Sequence, residues 1–175
     1  MSLKLPEGFI RPYSNKHTIL IDADIVAFRS AAMGGEHLGL CLSAAYGLID
    51  KIKDACDSDD IKLFFTGKSN FRYDIFPSYK GNRVSEKPPL YNKVVEILKR
   101  KYQYVLINNL EADDEIAIQA YEIGLDRVVI ASTDKDFMIV PTTHYNFIKD
   151  GFTNTTELQA TAFLCKQCLT GDTAD

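Results

Sequence analysis

Short apolar runs followed by acids constrain this sequence more than any other feature. His17–Ile21 runs into Asp22 and Asp24, Val105–Ile107 precedes Glu111, Asp113 and Asp114, and Arg127–Ala131 precedes Asp134 and Asp136. A fourth run, Ile61–Phe65, carries no acid after it. Between the runs, residues 41–56 and 111–123 place apolar side chains at helical spacing, and Pro88-Pro89 suits the opening of a helix through about Tyr102. Gly124 suits a helix end. Strands alternating with helices predict an α/β fold, a doubly wound, mainly parallel sheet with helices on both faces and right-handed crossovers. Tyr145–Ile148 reads as a fifth strand turned at Asp150-Gly151, and Asn154 with Glu157 reads as a capping box for a last helix over 155–168. Residues 1–175 are expected to form one domain.

In an open α/β sheet the working crevice lies beyond the carboxyl ends of the strands. That rule brings three distant acid groups to one edge. Asp172 and Asp175 form a fourth group. Negative charges gather around a point only when a positive one sits there, and a hard divalent cation held through oxygen, Mg²⁺ or Mn²⁺, fits such a donor set. Asp22 and Asp24 would face opposite ways if the strand continued, so Asp22 is the expected ligand and Asp24 a supporting acid or helix cap. Glu111, Asp113, Asp114 and Glu115 crowd one helical turn. The helix dipole accounts for one or two of them, and a cation relieves the remaining repulsion. Alone, Asp134-Lys135-Asp136 could be an Asx turn and the last pair a polar tail; together the four groups point to metal.

The net charge of −4 hides an asymmetry. Residues 62–101 hold ten Lys/Arg against three acids, a local surplus of seven, which leaves the rest of the chain at −11. A basic segment facing an acidic, metal-loaded centre suits a polyanion whose phosphate reacts. Within it, Arg72, Lys80 and Arg83 alternate with Phe71, Tyr73, Phe76 and Tyr79. Cations interleaved with stacking faces suit single-stranded or frayed nucleic acid.

Cys41, Cys56, Cys165 and Cys168 show no disulfide-scaffold spacing, so a cytoplasmic location is expected. Cys165-x-x-Cys168 lacks a second pair or a neighbouring His and reads as two buried structural thiols. Neither a membrane span nor a signal-peptide pattern is visible, and no obligate protein partner is evident.

These motifs give the chain a specific likeness. Ile19-Leu20-Ile21-Asp22, Phe71-Arg72, Tyr79-Lys80-Gly81-Asn82-Arg83, Glu111-Ala112-Asp113-Asp114, Ser132 through Asp136, and Leu169 through Asp175 follow one another as in the 5′ nucleases. The chain resembles the flap endonucleases, bacteriophage 5′→3′ exonucleases and the 5′-nuclease domain of DNA polymerase I, within the PIN-like superfamily. The resemblance implies hydrolysis of phosphodiesters near the free 5′ end or flap of DNA, or in RNA–DNA hybrids. The setting would be replication, repair or phage DNA metabolism in a bacterial or phage-infected cytoplasm. It implies two or more Mg²⁺ ions, with Mn²⁺ as substitute, on Asp22, Glu111, Asp113, Asp114, Asp134, Asp136, Asp172 and Asp175. By two-metal logic such ions stand about 4 Å apart. It further implies that Lys80 and Arg83, on a helical-arch segment around 66–90, contact the scissile phosphate, with Asp22, Asp113 and Asp114 central to catalysis. Tyr79 would stack on a base, and Arg72 and Phe71 would support substrate binding.

Two features depart from the family pattern. Its members carry a further Asp after the second strand, where this chain has Phe64-Phe65-Thr66-Gly67-Lys68, so either one ion site is weaker or Asp24 compensates. They also continue into a helix–turn–helix region that grips duplex DNA, whereas this sequence stops at Asp175. Two other readings stand beside this one. Asp22-x-Asp24 after a strand also suits a haloacid-dehalogenase-like phosphatase with a nucleophilic Asp, and the departures suit a catalytically impaired nucleic-acid-binding remnant.

Overall fold

Ile19 and Ile21 leave one side of the first strand and Leu20 the other, and all three are wholly buried. This follows from the period of two along a strand, and burial on both sides is what a central parallel strand requires. A computed structural model describes residues 17–81 and 86–171. Its elements, in chain order, are β1 Thr18–Asp22, α1 Ala23–Gly34, α2 Leu38–Cys56, β2 Ile61–Asn70, α3 Phe71–Ile75, α4 Tyr91–Lys101 and β3 Tyr104–Asn109. Then follow α5 Ala112–Ile123, β4 Val128–Ala131, a 3-10 turn Asp136–Ile139, β5 Thr143–Asn146, β6 Gly151–Asn154 and α6 Glu157–Thr170.

The described strands form one sheet in the order β3-β2-β1-β4-β5-β6. All neighbours are parallel except β5 and β6, which are antiparallel. The sheet therefore has helices on both faces. Ile19, Ile21, Leu63, Phe65 and Val129 meet α1, α2 and α4 on one side. Leu20, Phe64 and Ile130 meet α5 and the 3-10 turn on the other. The doubly wound, mainly parallel fold expected from the sequence is thus present. The chain winds outward from β1 through β2 and β3, then returns to β4 on the other flank, so the switch point lies between β1 and β4. That is where such a sheet opens a crevice. No described helix is long and apolar enough to cross a membrane.

Several boundaries differ from the sequence reading. A helix, α1, follows β1 without a break; its buried residues Ala23, Val26, Ala27, Ser30, Ala31 and Gly34 keep helical spacing but are mostly small, so they carry little hydrophobic contrast. They allow α2 to come close: a Cβ on Gly34 would lie 2.4 Å from the Cys41 nitrogen. Strand β2 runs on to Asn70, so the arch segment expected around 66–90 begins with strand. Gly67 permits this extension, since a Cβ there would meet the Ile107 carbonyl oxygen at 2.3 Å.

Helix α4 starts at Tyr91, not at the prolines, because a residue before proline is steered away from the helical region. The final helix uses Thr156 and Gln159 as its capping box; Asn154 is still in the unanticipated strand β6. Cys41 and Cys56 are buried, but Cys165 and Cys168 are exposed, which corrects the expectation of buried thiols. Helix α6 buries Ala160 and turns both cysteines outward.

Candidate active site

Asp22 ends β1 and caps α1, its Oδ1 accepting the Ile25 N–H at 3.4 Å. The strand stops there, so the opposite-face argument for Asp22 and Asp24 does not apply: both acids lie at the opening of one helix. Across the switch point, Ser132 at the end of β4 donates its hydroxyl to Asp22 Oδ2 at 3.1 Å. Asp22 is 8 % exposed. Burial, reinforced by the charge of Asp24, raises its pKa to about 7, against the ordinary 3.8. A carboxylate so withdrawn from water gains by meeting a cation.

Asp24 is held by two other elements. The Thr66 N–H of β2 donates to Oδ2 and the Tyr91 hydroxyl of α4 donates to Oδ1, each at 2.8 Å. Its carboxylate therefore reaches Thr66 within β2, just past the Ile61–Phe65 run that carries no acid. Thr66 also accepts the Ala112 N–H through its hydroxyl at 3.1 Å, tying β2 to the start of α5.

Helix α5 begins with Ala112, and Glu111 is its N-cap. Asp113 keeps a solvent-accessible edge, yet partial withdrawal from water, then the charges of Glu111 and Asp114, raise its pKa. Asp114 shifts the other way, because the Arg72 guanidinium grips it in a fork of 2.6 and 2.8 Å. Asp114 Oδ2 also accepts the Glu111 N–H at 3.1 Å. Asp134 closes a turn, its amide donating to Ser132 Oγ at 3.1 Å and its Oδ1 accepting the Asp136 N–H at 2.9 Å. Asp136 receives the Gln167 side-chain amide of α6 at 2.7 Å.

A cleft of about 810 Å³ collects these groups, with Asp22, Asp24, Glu111, Asp113 and Asp134 on its walls and Lys80 at its rim. Asp114 and Asp136 are not among its lining residues. Arg83, Asp172 and Asp175 lie outside the described residues. Arg29 of α1 lines the cleft as well, a residue the sequence reading passed over. Ser132, Thr66 and Tyr91 were missed too; a hydroxyl two residues before Asp134 was the available signal for Ser132.

The basic-aromatic segment folds onto the acids. Lys80 places its ammonium 2.5 Å from Glu111 Oε1, and the Tyr79 hydroxyl donates to Glu111 Oε2 at 3.2 Å. The Arg72 guanidinium lies over the Phe71 ring at 4.9 Å, and Tyr79 meets Tyr73 edge-on at 5.8 Å. Lys80 adopts φ +56°, a left-handed conformation uncommon outside glycine, which turns its side chain as the segment closes on the cleft.

Among the described residues, no three His, Cys, Asp or Glu side chains stand close enough to form a ready-made metal cage. The donor chemistry nevertheless fits a hard divalent cation: the five cleft acids offer oxygen alone, and Asp22 is buried without a basic partner among its hydrogen bonds.

Comparison with known proteins agrees with this architecture. The family model for the 5′-3′ exonuclease N-terminal resolvase-like domain matches residues 17–167. A 5′-3′ exonuclease of Buchnera aphidicola subsp. Schizaphis graminum is 30 % identical over 116 residues, covering 60 % of this chain and 40 % of that protein. An exonuclease of Escherichia phage T7 is 31 % identical over 131 residues, covering 70 % and 44 %. The chain thus spans less than half the length of these relatives. The bacteriophage T5 D15 flap endonuclease, solved with DNA and metal ions, superposes with a TM-score of 0.67 at 19 % identity, covering 89 % of this chain and 66 % of that one. At that identity the likeness is one of fold. With 151 consecutive positions matched by one family model, the chain belongs to the 5′-3′ exonuclease family, as its N-terminal resolvase-like domain.

Proposed function

We propose that this domain is the catalytic part of a divalent-metal-dependent 5′ nuclease, hydrolysing phosphodiesters near the free 5′ end or flap of DNA. RNA in RNA–DNA hybrids is a further substrate. The observation that carries the reading is Lys80 seated 2.5 Å from Glu111 at the rim of a carboxylate-lined cleft. A cation there, next to acids that themselves require cations, is what a phosphate in transit would need on either side. The family match and the relatives named exonucleases support it.

Asp22, Glu111, Asp113 and Asp134 would hold Mg²⁺, with Mn²⁺ as substitute; Asp136, Asp172 and Asp175 are proposed to complete the set. When bound, such ions supply Lewis-acid polarisation of the phosphate and activation of water. The chain's own residues do the rest. Lys80 and Arg83 bear on the phosphate and offset charge that develops on it. Tyr79, with Phe71 behind Arg72, offers a face on which a base near the 5′ end stacks. Ser132 orients Asp22, while Asp24 ties Thr66 of β2 and Tyr91 at the start of α4 to the same corner. Asp24 thereby stands in for the acid that β2 lacks. The bacterial and phage relatives support a bacterial or phage-infected cytoplasm as the compartment.

The haloacid-dehalogenase-like reading loses ground here. A nucleophilic Asp must meet its phosphate directly, and Asp22 is 8 % exposed and already bonded by Ser132 and Ile25. The test uses 5′-labelled single-stranded and flap oligonucleotides with Mg²⁺, Mn²⁺ or chelator, beside para-nitrophenyl phosphate. Metal-dependent shortening from the 5′ end is expected. Binding without shortening in either metal would instead favour the inactive remnant, and phosphatase turnover without DNA cleavage would favour the phosphatase.

A further inference from the structure

Asp113 and Asp114 are neighbours in sequence and differ in what they face. Successive residues on a helix point about 100° apart, so adjacent acids need not share one face. Asp113 lines the cleft and Asp114 does not. Both oxygens of Asp114 are already engaged: Oδ1 by one guanidinium nitrogen of Arg72 at 2.8 Å, and Oδ2 by the other at 2.6 Å and by the Glu111 N–H at 3.1 Å. A bidentate fork of this kind is among the stronger polar contacts and fixes both partners in a plane.

Arg72 in turn sits in the short helix α3, whose cap is the Asn70 side chain at the end of β2. Its guanidinium is flanked by the Phe71 and Tyr79 rings at 4.9 and 5.9 Å. Downstream of it come Tyr79 and Lys80, both bonded to Glu111. The Arg72–Asp114 pair is therefore the fixed end of the segment that carries Lys80, and Lys80–Glu111 is its working end. Helix α3 buries none of its residues, so hydrophobic packing does little to hold it.

We infer that Asp114 is a positioning residue, anchoring residues 71–80 to the start of α5 through Arg72 so that Tyr79 and Lys80 meet the cleft at Glu111. It holds no ion, and Arg72 binds no phosphate; both act through Lys80. This rests on the nuclease reading for its kinetic consequence but not for its geometry.

Five forms of the full chain decide it: wild type, Arg72→Gln, Asp114→Asn, the double variant, and Asp113→Asn as the contrasting acid. Mn²⁺ affinity is read by electron paramagnetic resonance, amide exchange over 70–81 by mass spectrometry, and KM and kcat on a 5′-labelled oligonucleotide. Arg72→Gln and Asp114→Asn should each lower kcat about tenfold, with KM changing less, and speed exchange over 70–81, the loss expected for a charged fork of this kind. The double variant should be no worse than either single one, because both remove one contact. Mn²⁺ affinity should stay within about twofold of wild type in both, and fall in Asp113→Asn. A loss of Mn²⁺ affinity in Asp114→Asn that Arg72→Gln does not share, or additive effects in the double variant, would overturn the inference. Should wild type cleave nothing, the nuclease reading fails, while affinity and exchange still decide the anchor.

Discussion

The hydroxyl of Ser132, at the end of β4, donates to the carboxylate of Asp22, at the end of β1, at 3.1 Å. These residues are 110 positions apart and meet because β1 and β4 are neighbours at the sheet's switch point. The contact fixes the acid that burial makes most reluctant to ionise.

Asp22→Asn should therefore separate activity from stability. The amide keeps an oxygen for the Ile25 N–H and removes a buried charge. With a folded pKa of about 7 against 3.8, the carboxyl favours the fold at low pH and loses that contribution as pH rises through 7. In chelator at pH 8 the variant should be more stable by on the order of 2 kcal/mol, with the gain fading toward pH 4. Thermal melts across that range check it, and cleavage should be lost. An unchanged or lower melting temperature at pH 8 would count against a buried, charge-strained Asp22.

Lys80→Ala should slow the chemical step by roughly 10²-fold while KM changes little, as expected for a cation aimed at developing charge. Single-turnover rates at saturating oligonucleotide measure this. A variant that restores the wild-type rate once substrate is raised would assign Lys80 to binding alone.

At Gly34 the helices α1 and α2 meet so closely that a Cβ would lie 2.4 Å from both the nitrogen and Sγ of Cys41. Backbone cannot step aside as a flexible side-chain tip can. Gly34→Ala should cost about 1–3 kcal/mol, read as a lower urea midpoint. A midpoint equal to wild type would show that the crossing relaxes at no cost.

His144 is buried in β5, its Nε2 near the Val140 carbonyl oxygen at 2.9 Å and its Nδ1 without a partner. Burial lowers its pKa from 6.5. The neutral ring's contribution is thus present above pH 6.5 and lost as pH falls through the lower folded value. Stability should decline below pH 6.5 by up to about 1.4 kcal/mol per pH unit from this group. His144→Gln should flatten that portion of the profile in urea titrations between pH 5 and 7.5; an identical slope in the variant would place the acid sensitivity elsewhere.

Much of the fold was legible because its signals are local. Val128–Ala131 is apolar at every position and buried at every position, and the acids that follow such strands could be assigned to one sheet edge from topology alone. Where the sequence misled, a non-local packing choice was responsible. Helix α1 was obscured because its buried residues are chosen small for closeness to α2, and Cys165 and Cys168 were misjudged because nothing local says which face of α6 is covered. The roles of adjacent acids were likewise illegible: Asp113 and Asp114 are the same residue type, and the Arg72 fork that divides them spans 42 positions.

The sequence by itself determined the alternation of strands and helices, the family, and the gathering of acids beyond the strand ends, since periodicity and motif order are properties of neighbours along the chain. The tertiary structure alone decided which acids share the cleft. It turned Asp24 toward Thr66 and Tyr91, gave Asp22 to Ser132, and tied Asp114 to Arg72. Carboxylates are chemically alike, and partners brought from distant elements are what give each one a different task.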